Sequence, residues 1–280
     1  MERFVIDETT NTLVKCNHSI WWERLDYLII PHQYKGKQID RISSHCFDYL
    51  NINLLCIEEG VKYLDDCALE NAHVLNVKLP RGLKIGKRCF AGSKLEEILL
   101  PRNLHIIKEE TFLNCKNLKS VWAQSGLNII SYDAFKGCES LTEAHFYILK
   151  TVRDGAFAGC TSLETLDLGC QIRQLGNDIF NGCHSLESLE IKGYFDKLEE
   201  RTFSGADRLE SLTLWSHAES LYFPPDGFKD TCLKEIFLTG DFEPIVKKRC
   251  CFPEDVVLKM YRGQKALEIL GYYFNIEIVA

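Results

Sequence analysis

The sequence predicts an α/β-type repeat solenoid: a right-handed stack of about nine coils, each 21–25 residues long, with a cap at either end. Three observations predict it. A large apolar residue, nearly always phenylalanine, recurs as Phe47, Leu69, Phe90, Phe112, Phe135, Phe157, Phe180, Phe203 and Phe228, and a period in this range marks stacked repeats. Five residues before each of these sits a second apolar residue: Ile42, Leu64, Ile85, Ile107, Ile130, Val152, Leu175, Leu198 and Phe223. After the phenylalanine come triplets such as Leu163/Leu166/Leu168, spaced as a short strand with one buried face.

The elements follow in chain order. Residues 1–40 read as an N-terminal cap, with a strand-like start at Phe4-Val5-Ile6, the pair Trp21-Trp22 and the apolar run Leu25–Ile30. A terminal coil has one open side, so its outer face must differ in order to shield the core. Residues 41–252 form the repeat array. In it, Leu95/Ile98/Leu100, Leu186/Leu189/Ile191, Leu209/Leu212/Leu214 and Leu233/Ile236/Leu238 are equivalents of the Leu163 triplet. The column five residues before the phenylalanine lines the opposite wall, so each coil is closed by two strand-like edges and a turn. Phe-x-Gly-Cys and Phe-x-Asn-Cys suit a tight turn or a single helical turn. Residues 253–280 read as a C-terminal cap, with a strand at Val256-Val257-Leu258, a short amphipathic helix over 264–270 and a last strand at Ile276–Val279. The whole is expected to be one continuous domain.

The coil pattern, Ile-x-x-x-Ala-Phe-x-Gly-Cys-x-x-Leu-x-x-Ile-x-Leu-Pro, resembles the BspA-type leucine-rich repeats. Residues 154–168 and 177–191 follow it, and Leu79-Pro80 and Leu100-Pro101 keep its closing pair. Leu28-Ile29-Ile30-Pro31, followed by Gly36 and residues 39–42, resembles that family's lead-in to its first repeat. The resemblance extends over about residues 25–260 and implies a leucine-rich-repeat solenoid. It also implies largely bacterial and protozoan company, rich in adhesin-like surface proteins.

Composition narrows the function. With 33 Lys+Arg against 40 Asp+Glu the chain is mildly acidic, which argues against nucleic-acid binding through phosphate neutralisation. No stretch approaches the ~18–20 apolar residues that span a bilayer, so membrane insertion is not expected. The first residues carry no apolar signal region, which points to the cytoplasm as written, or to the cell surface if a signal was removed. Thirteen cysteines are present. Cys46, Cys89 and Cys251 precede the phenylalanine column or its continuation at Phe252, while Cys115, Cys138, Cys160 and Cys183 follow it by three residues. That phasing assigns them to a small apolar core slot, which Ala134, Ala156, Ala206 and Thr202 fill in other coils. No Cys/His spacing typical of zinc occurs, and no cofactor or metal is expected. The motifs GxSxG, HExxH, GxxxxGK[ST] and GxGxxG are absent, so no enzyme is expected.

Strand alternation gives the candidate site. If Leu163, Leu166 and Leu168 point inward, the central outward column is Cys56, Lys78, Leu99, Trp122, His145, Asp167, Glu190, Thr213 and Phe237. Trp122, His145 and Tyr147 then cluster on adjacent coils of the concave sheet, with Trp215 and Phe237 further along. Exposed aromatics on a rigid surface are the usual material of binding hot spots. The plainer alternatives are aromatics on a solvated sheet, Trp122 packed within an irregular coil, and Trp215 tucked under the loop at 221–225. Six acids on the face (Glu58, Glu97, Glu143, Asp167, Glu190, Glu235) against Lys78 and Lys192 favour a basic or amide-rich partner, with Asp167 and Glu190 setting the preference. At ~4.8 Å per strand the sheet runs ~40 Å, enough for an extended peptide or one face of a domain. The expected function is non-catalytic protein–protein recognition on this face. The alternatives are an exported cell-surface adhesin and a structural spacer acting by self-assembly.

Overall fold

The computed structural model describes residues 4–17, 24–48, 50–246, 252–253, 255–261, 265–270 and 276–279. Trp21, Trp22, Cys251 and the first residue of the expected helix, Gln264, lie outside them. Each coil contributes one strand to a broad sheet. In chain order these are β1 (Leu25–Ile30), β2 (Asn51–Ile57), β3 (His73–Lys78), β4 (Glu97–Leu99), β5 (Ser120–Trp122), β6 (Glu143–His145), β7 (Thr165–Asp167), β8 (Ser188–Gly193), β9 (Ser211–Ser216), β10 (Glu235–Thr239), β11 (Val257–Tyr261) and β12 (Ile276–Val279). Pairing is parallel throughout, and every strand pairs with its neighbour in sequence except β7 with β8. The inward residues of each triplet are buried, because strand alternation sends one side of each coil into the stack.

The opposite wall is made of two-residue strands. Arg41–Ile42, Tyr63–Leu64 and Lys84–Ile85 pair in one sheet, and Ile106–Ile107, Ile129–Ile130, Thr151–Val152 and Gln174–Leu175 in another. Each ends on a member of the second apolar column, and all nine members of that column are buried. At the start of the chain Phe4–Asp7 and Thr12–Cys16 form an antiparallel hairpin that joins this wall beside Arg41–Ile42.

Between the walls runs a ladder of phenylalanine rings. From Phe90 through Phe112, Phe135 and Phe157 the centroids are 5.0–5.3 Å apart and the rings are within 5° of parallel. The ladder continues through Phe180, Phe203 and Phe228 to Phe252. Each fully buried ring contributes about 1.5–3 kcal/mol of transfer free energy.

The solenoid has the predicted form, and the α/β label is loose for it, because the turn side of the coils is not helical. Among the described residues the only helix is Lys265–Leu270, so the solenoid is almost wholly strands and turns. The backbone explains why. Two residues before the phenylalanine, His45, Cys67, Arg88, Glu110, Asp133, Gly155 and Asp178 all have positive φ; two residues after it, so do Asn71, Gly92, Asn114, Gly137, Gly159, Gly182 and Gly205. A left-handed residue on each side stops a helix from propagating. The turn amides bond to the next coil instead, as in Phe112 N–H to Ala134 O (2.8 Å) and Asn114 N–H to Lys136 O (2.7 Å).

The cysteines occupy the expected slot. Cys46, Cys89, Cys115, Cys138, Cys160 and Cys183 are buried. Four of them also donate to a phenylalanine carbonyl one coil back: Cys115 to Phe90 at 2.9 Å, Cys138 to Phe112 at 3.1 Å, Cys160 to Phe135 at 3.2 Å and Cys183 to Phe157 at 3.3 Å.

The broad sheet is not continuous. Strands β1 to β7 form a seven-stranded sheet and β8 to β12 a five-stranded one. After Asp167 the chain turns at Gly169, and Ile172 instead bridges to Gly193. The opposite wall breaks one coil later: Gln174–Leu175, five residues before Phe180, still pairs with Thr151–Val152 and is the last strand of its sheet, and Ser220–Phe223 begins another.

Candidate binding face

Strand pairing fixes which side chains share the outer face. Ile29, Cys56 and Lys78 are aligned, as are Leu99, Trp122, His145 and Asp167. Beyond the break, Glu190, Thr213, Phe237, Lys259 and Glu277 are aligned. The central column therefore has the register that alternation predicts, interrupted between Asp167 and Glu190.

Trp122 and His145 are cross-strand neighbours and stack face to face, with centroids 4.0 Å apart and planes 18° from parallel. Glu143 Oε2 lies 3.3 Å from His145 Nε2 and fixes the outer edge of the imidazole. Trp122 remains 38% exposed, and Leu99 beside it 52%. Tyr147, two residues beyond His145, is 56% exposed. The core beneath Trp122 is filled by Val121, Ala123 and Leu127, so the indole lies outside it. Asp167 ends this group, its Oδ1 accepting the Gly169 N–H at 2.8 Å.

The remaining expected residues belong to the other sheet. Trp215 is exposed on β9, with Lys192 Nζ 5.8 Å from its ring centroid and the His217 ring 5.7 Å away. Tyr194 tilts against His217 at 5.1 Å. Together with Cys170 and Arg173 these side chains line an open pocket of about 490 Å³ beside the break. Phe237 is half-buried under Lys259, whose Nζ is 5.0 Å from its centroid. Glu190 is paired with Lys192 at 2.8 Å. The seven candidates thus share one face in two groups: Trp122, His145, Tyr147 and Asp167 before the break, Glu190, Trp215 and Phe237 after it.

Part of the acid excess is engaged in contacts within the face. Glu58 meets His32 at 3.3 Å, Glu143 meets His145, and Glu235 meets Lys259 at 2.7 Å. The Lys259 bond holds the Glu235 carboxyl below its ordinary pKa against an opposing effect of partial burial, and Ser211 Oγ adds a further bond. Glu97 and Asp167 have no cationic partner among the described residues.

Sequence reasoning missed residues at both ends of the face. Tyr27 and Ile29 project from β1, 63% and 44% exposed, within the segment read as cap. The signal was available, because Leu28 and Ile30 are the buried alternates of a strand paired with β2. At the far end Lys259 enters the central column from β11, also within a segment read as cap.

Parallel coils, a phenylalanine spine and short strands on both walls define a leucine-rich-repeat solenoid. The chain belongs to the BspA-type leucine-rich repeat family, whose repeat region matches residues 40–149 and 147–254 in six copies. No curated protein matches it in sequence. In fold it is similar to the leucine-rich repeat protein TpLRR of T. pallidum (TM-score 0.54, 20% identity, 65% of this chain and 86% of that one). It is also similar to a leucine-rich repeat protein of Bacteroides ovatus (TM-score 0.52, 16% identity, 91% and 92%). No helix among the described residues is long and apolar enough to cross a membrane.

Proposed function

We propose that the chain is a non-catalytic protein-recognition module whose partner docks on the outer face of β4 to β7, anchored by Leu99, Trp122, His145 and Tyr147. The observation that carries this reading is the Trp122–His145 stack, an aromatic platform exposed on strands that are hydrogen-bonded on both sides. Such a platform is ordered before its partner arrives, so little side-chain entropy remains to be lost on binding. Indole, phenol and imidazole present large amphipathic surfaces, the composition from which hot spots are drawn. Glu97 and Asp167 flank the platform and favour a partner segment that carries lysine or arginine beside an apolar anchor.

The test is affinity capture from the native host's lysate, read by quantitative mass spectrometry. It compares wild type, Trp122→Ala/Tyr147→Ala and Trp215→Ala, each shown to be folded. Loss of a hot-spot anchor costs about 2 kcal/mol or more, roughly a 30-fold weakening. A partner kept by wild type and Trp215→Ala but lost by the double variant is the expected result. Equal retention by all three proteins removes the platform from recognition.

A further inference from the structure

We propose that His45, Cys67 and Glu70 form a binding site for a zinc-type divalent metal ion on the turn side of the first coils. A ring nitrogen of His45, the Cys67 sulfur and a Glu70 carboxylate oxygen all lie within 4.8 Å of one another. Zinc bonds of ~2.0–2.3 Å in tetrahedral geometry hold their donors roughly 3.3–3.8 Å apart, so small side-chain rotations would close the set. Nitrogen, sulfur and carboxylate oxygen are the three donor types that zinc accepts.

Coil stacking assembles the cluster. His45 and Cys67 hold the same position in successive coils, two residues before Phe47 and Leu69, and both have positive φ (56° and 58°). The Cys67 carbonyl accepts the N–H of His45 and the N–H of Glu70, each at 3.2 Å, which ties the three backbones to one atom. In the later coils that position holds Arg88, Glu110, Asp133, Gly155, Asp178, Arg201 and Asp226, so at this position an imidazole and a thiol are successive only here. Among the described residues no other three donors of these types come together.

The surroundings leave each donor a free atom. Arg88 gives two of its bonds, from Nε at 3.2 Å and from the guanidinium terminus at 2.7 Å, to Glu70 Oε1 and a third to Glu110, leaving Glu70 Oε2 for the ion. Asp48 Oδ1 is 3.5 Å from His45 Nδ1, leaving Nε2 as the ligating nitrogen. A carboxylate behind a metal-binding histidine fixes its tautomer and raises its basicity. In the metal-free site the Cys67 side chain bonds the Glu70 carboxylate. Binding would send the thiol proton to solvent, and thiolate plus carboxylate would balance the divalent charge. An open pocket of about 620 Å³, lined by His45, Asp48, Glu70, Asn71 and His73, reaches two of the three donors and leaves room for water at a fourth position. Because His45 and Cys67 come from different coils, the ion would join two successive coils.

The experiment titrates the full chain with Co2+ and then displaces it with Zn2+. One equivalent producing a thiolate charge-transfer band and tetrahedral visible bands, both lost on adding Zn2+, is the expected result. Cys67→Ser abolishes the charge-transfer band, while Cys170→Ser, which alters an exposed thiol elsewhere, leaves it intact. Asp48→Asn keeps all three ligands and weakens Zn2+ binding by about tenfold or more. His45→Ala, at an exposed position, replaces Cys67→Ser if that variant does not fold. A spectrum unchanged in Cys67→Ser and His45→Ala, or no tetrahedral spectrum in wild type, overturns the site.

Discussion

The position three residues after each phenylalanine illustrates how a repeat selects a side chain. It must be small, because the ring ladder and both walls converge there, and it faces the phenylalanine carbonyl of the coil before. That carbonyl already accepts an amide from its own turn, as Phe135 O does from Cys138 N at 3.1 Å, and it has a second lone pair to fill. A thiol donates weakly to it without the desolvation cost of a stronger polar group. Burial raises the Cys138 and Cys160 thiols well above the ordinary range and pushes Cys183 up to about 12, so thiolate is scarce and reagent access is blocked. Cys170 and Cys232 are exposed. Native alkylation with iodoacetamide, mapped by peptide mass spectrometry, should therefore modify Cys170 and Cys232 and spare Cys138, Cys160 and Cys183 until denaturant is added. Modification of the column at the Cys170 rate in folded protein would contradict this packing.

Between strands, Glu235 shows how a face can carry charge and still support the sheet. From β10 it bonds Lys259 on β11 and Ser211 on β9, so one carboxylate spans three strands. Its folded pKa is depressed, first by the Lys259 bond. Its stabilisation is therefore present above the unfolded carboxylate pKa and is lost as pH falls through the lower folded value. Because the group is about one-third exposed, the contribution is modest, about 0.5–1 kcal/mol. Glu235→Gln should lower the urea midpoint at pH 7 and have little effect at pH 3; an equal deficit at both would mean that charge is not responsible. This arrangement was only half legible in the sequence. The register that places Glu235 outward followed from the spacing of Leu233, Ile236 and Leu238, since three apolar residues on a pleated strand leave one solution. Lys259 was not anticipated as its partner, because residues 253–280 lack the phenylalanine column that gave the other coils their alignment. The cluster of His45, Cys67 and Glu70 escaped for a related reason. Metal motifs are read along the chain, whereas its first two donors meet only through the stacking of coils 22 residues apart. The break after Asp167 was equally hidden, because the triplets on both sides of it, Leu163/Leu166/Leu168 and Leu186/Leu189/Ile191, keep the regular spacing.

At the scale of the molecule, that break matters because a solenoid is held together by nearest-neighbour contacts alone. Most coils meet across two strand ladders, the turn-side hydrogen bonds and the ring stack. Between the coils of β7 and β8 the broad-sheet ladder is missing, and the Phe157–Phe180 separation of 6.3 Å is the widest step from Phe90 to Phe252. What remains is the opposite-wall pairing of Thr151–Val152 with Gln174–Leu175, the turn side, where Phe157 N–H meets Ile179 O at 3.0 Å, and the Ile172 bridge, with Ile172 N–H to Lys192 O at 3.1 Å and Tyr194 N–H to Ile172 O at 2.6 Å. Coupling across this interface is therefore weaker than within either block, and the two should open as separate units under mild denaturant. Hydrogen exchange should group the amides of β3 to β6 on one isotherm and those of β9 and β10 on another, with β7 and β8 exchanging faster than the strands behind them. Gly193→Ala sharpens the test. A Cβ at Gly193 would collide with the Ile172 carbonyl and displace the bridge, while leaving the pairing of β8 with β9 in place. The variant should separate the two isotherms further and leave the more stable block almost unchanged. A single isotherm in both proteins would mean that the opposite-wall pairing, the turn-side bonds and the phenylalanine stack are sufficient to make the solenoid one cooperative unit. If two units are found, the Trp122 platform and the Trp215 pocket stand on separately opening blocks, and a partner that spans both would slow exchange at β7 and β8 more than elsewhere.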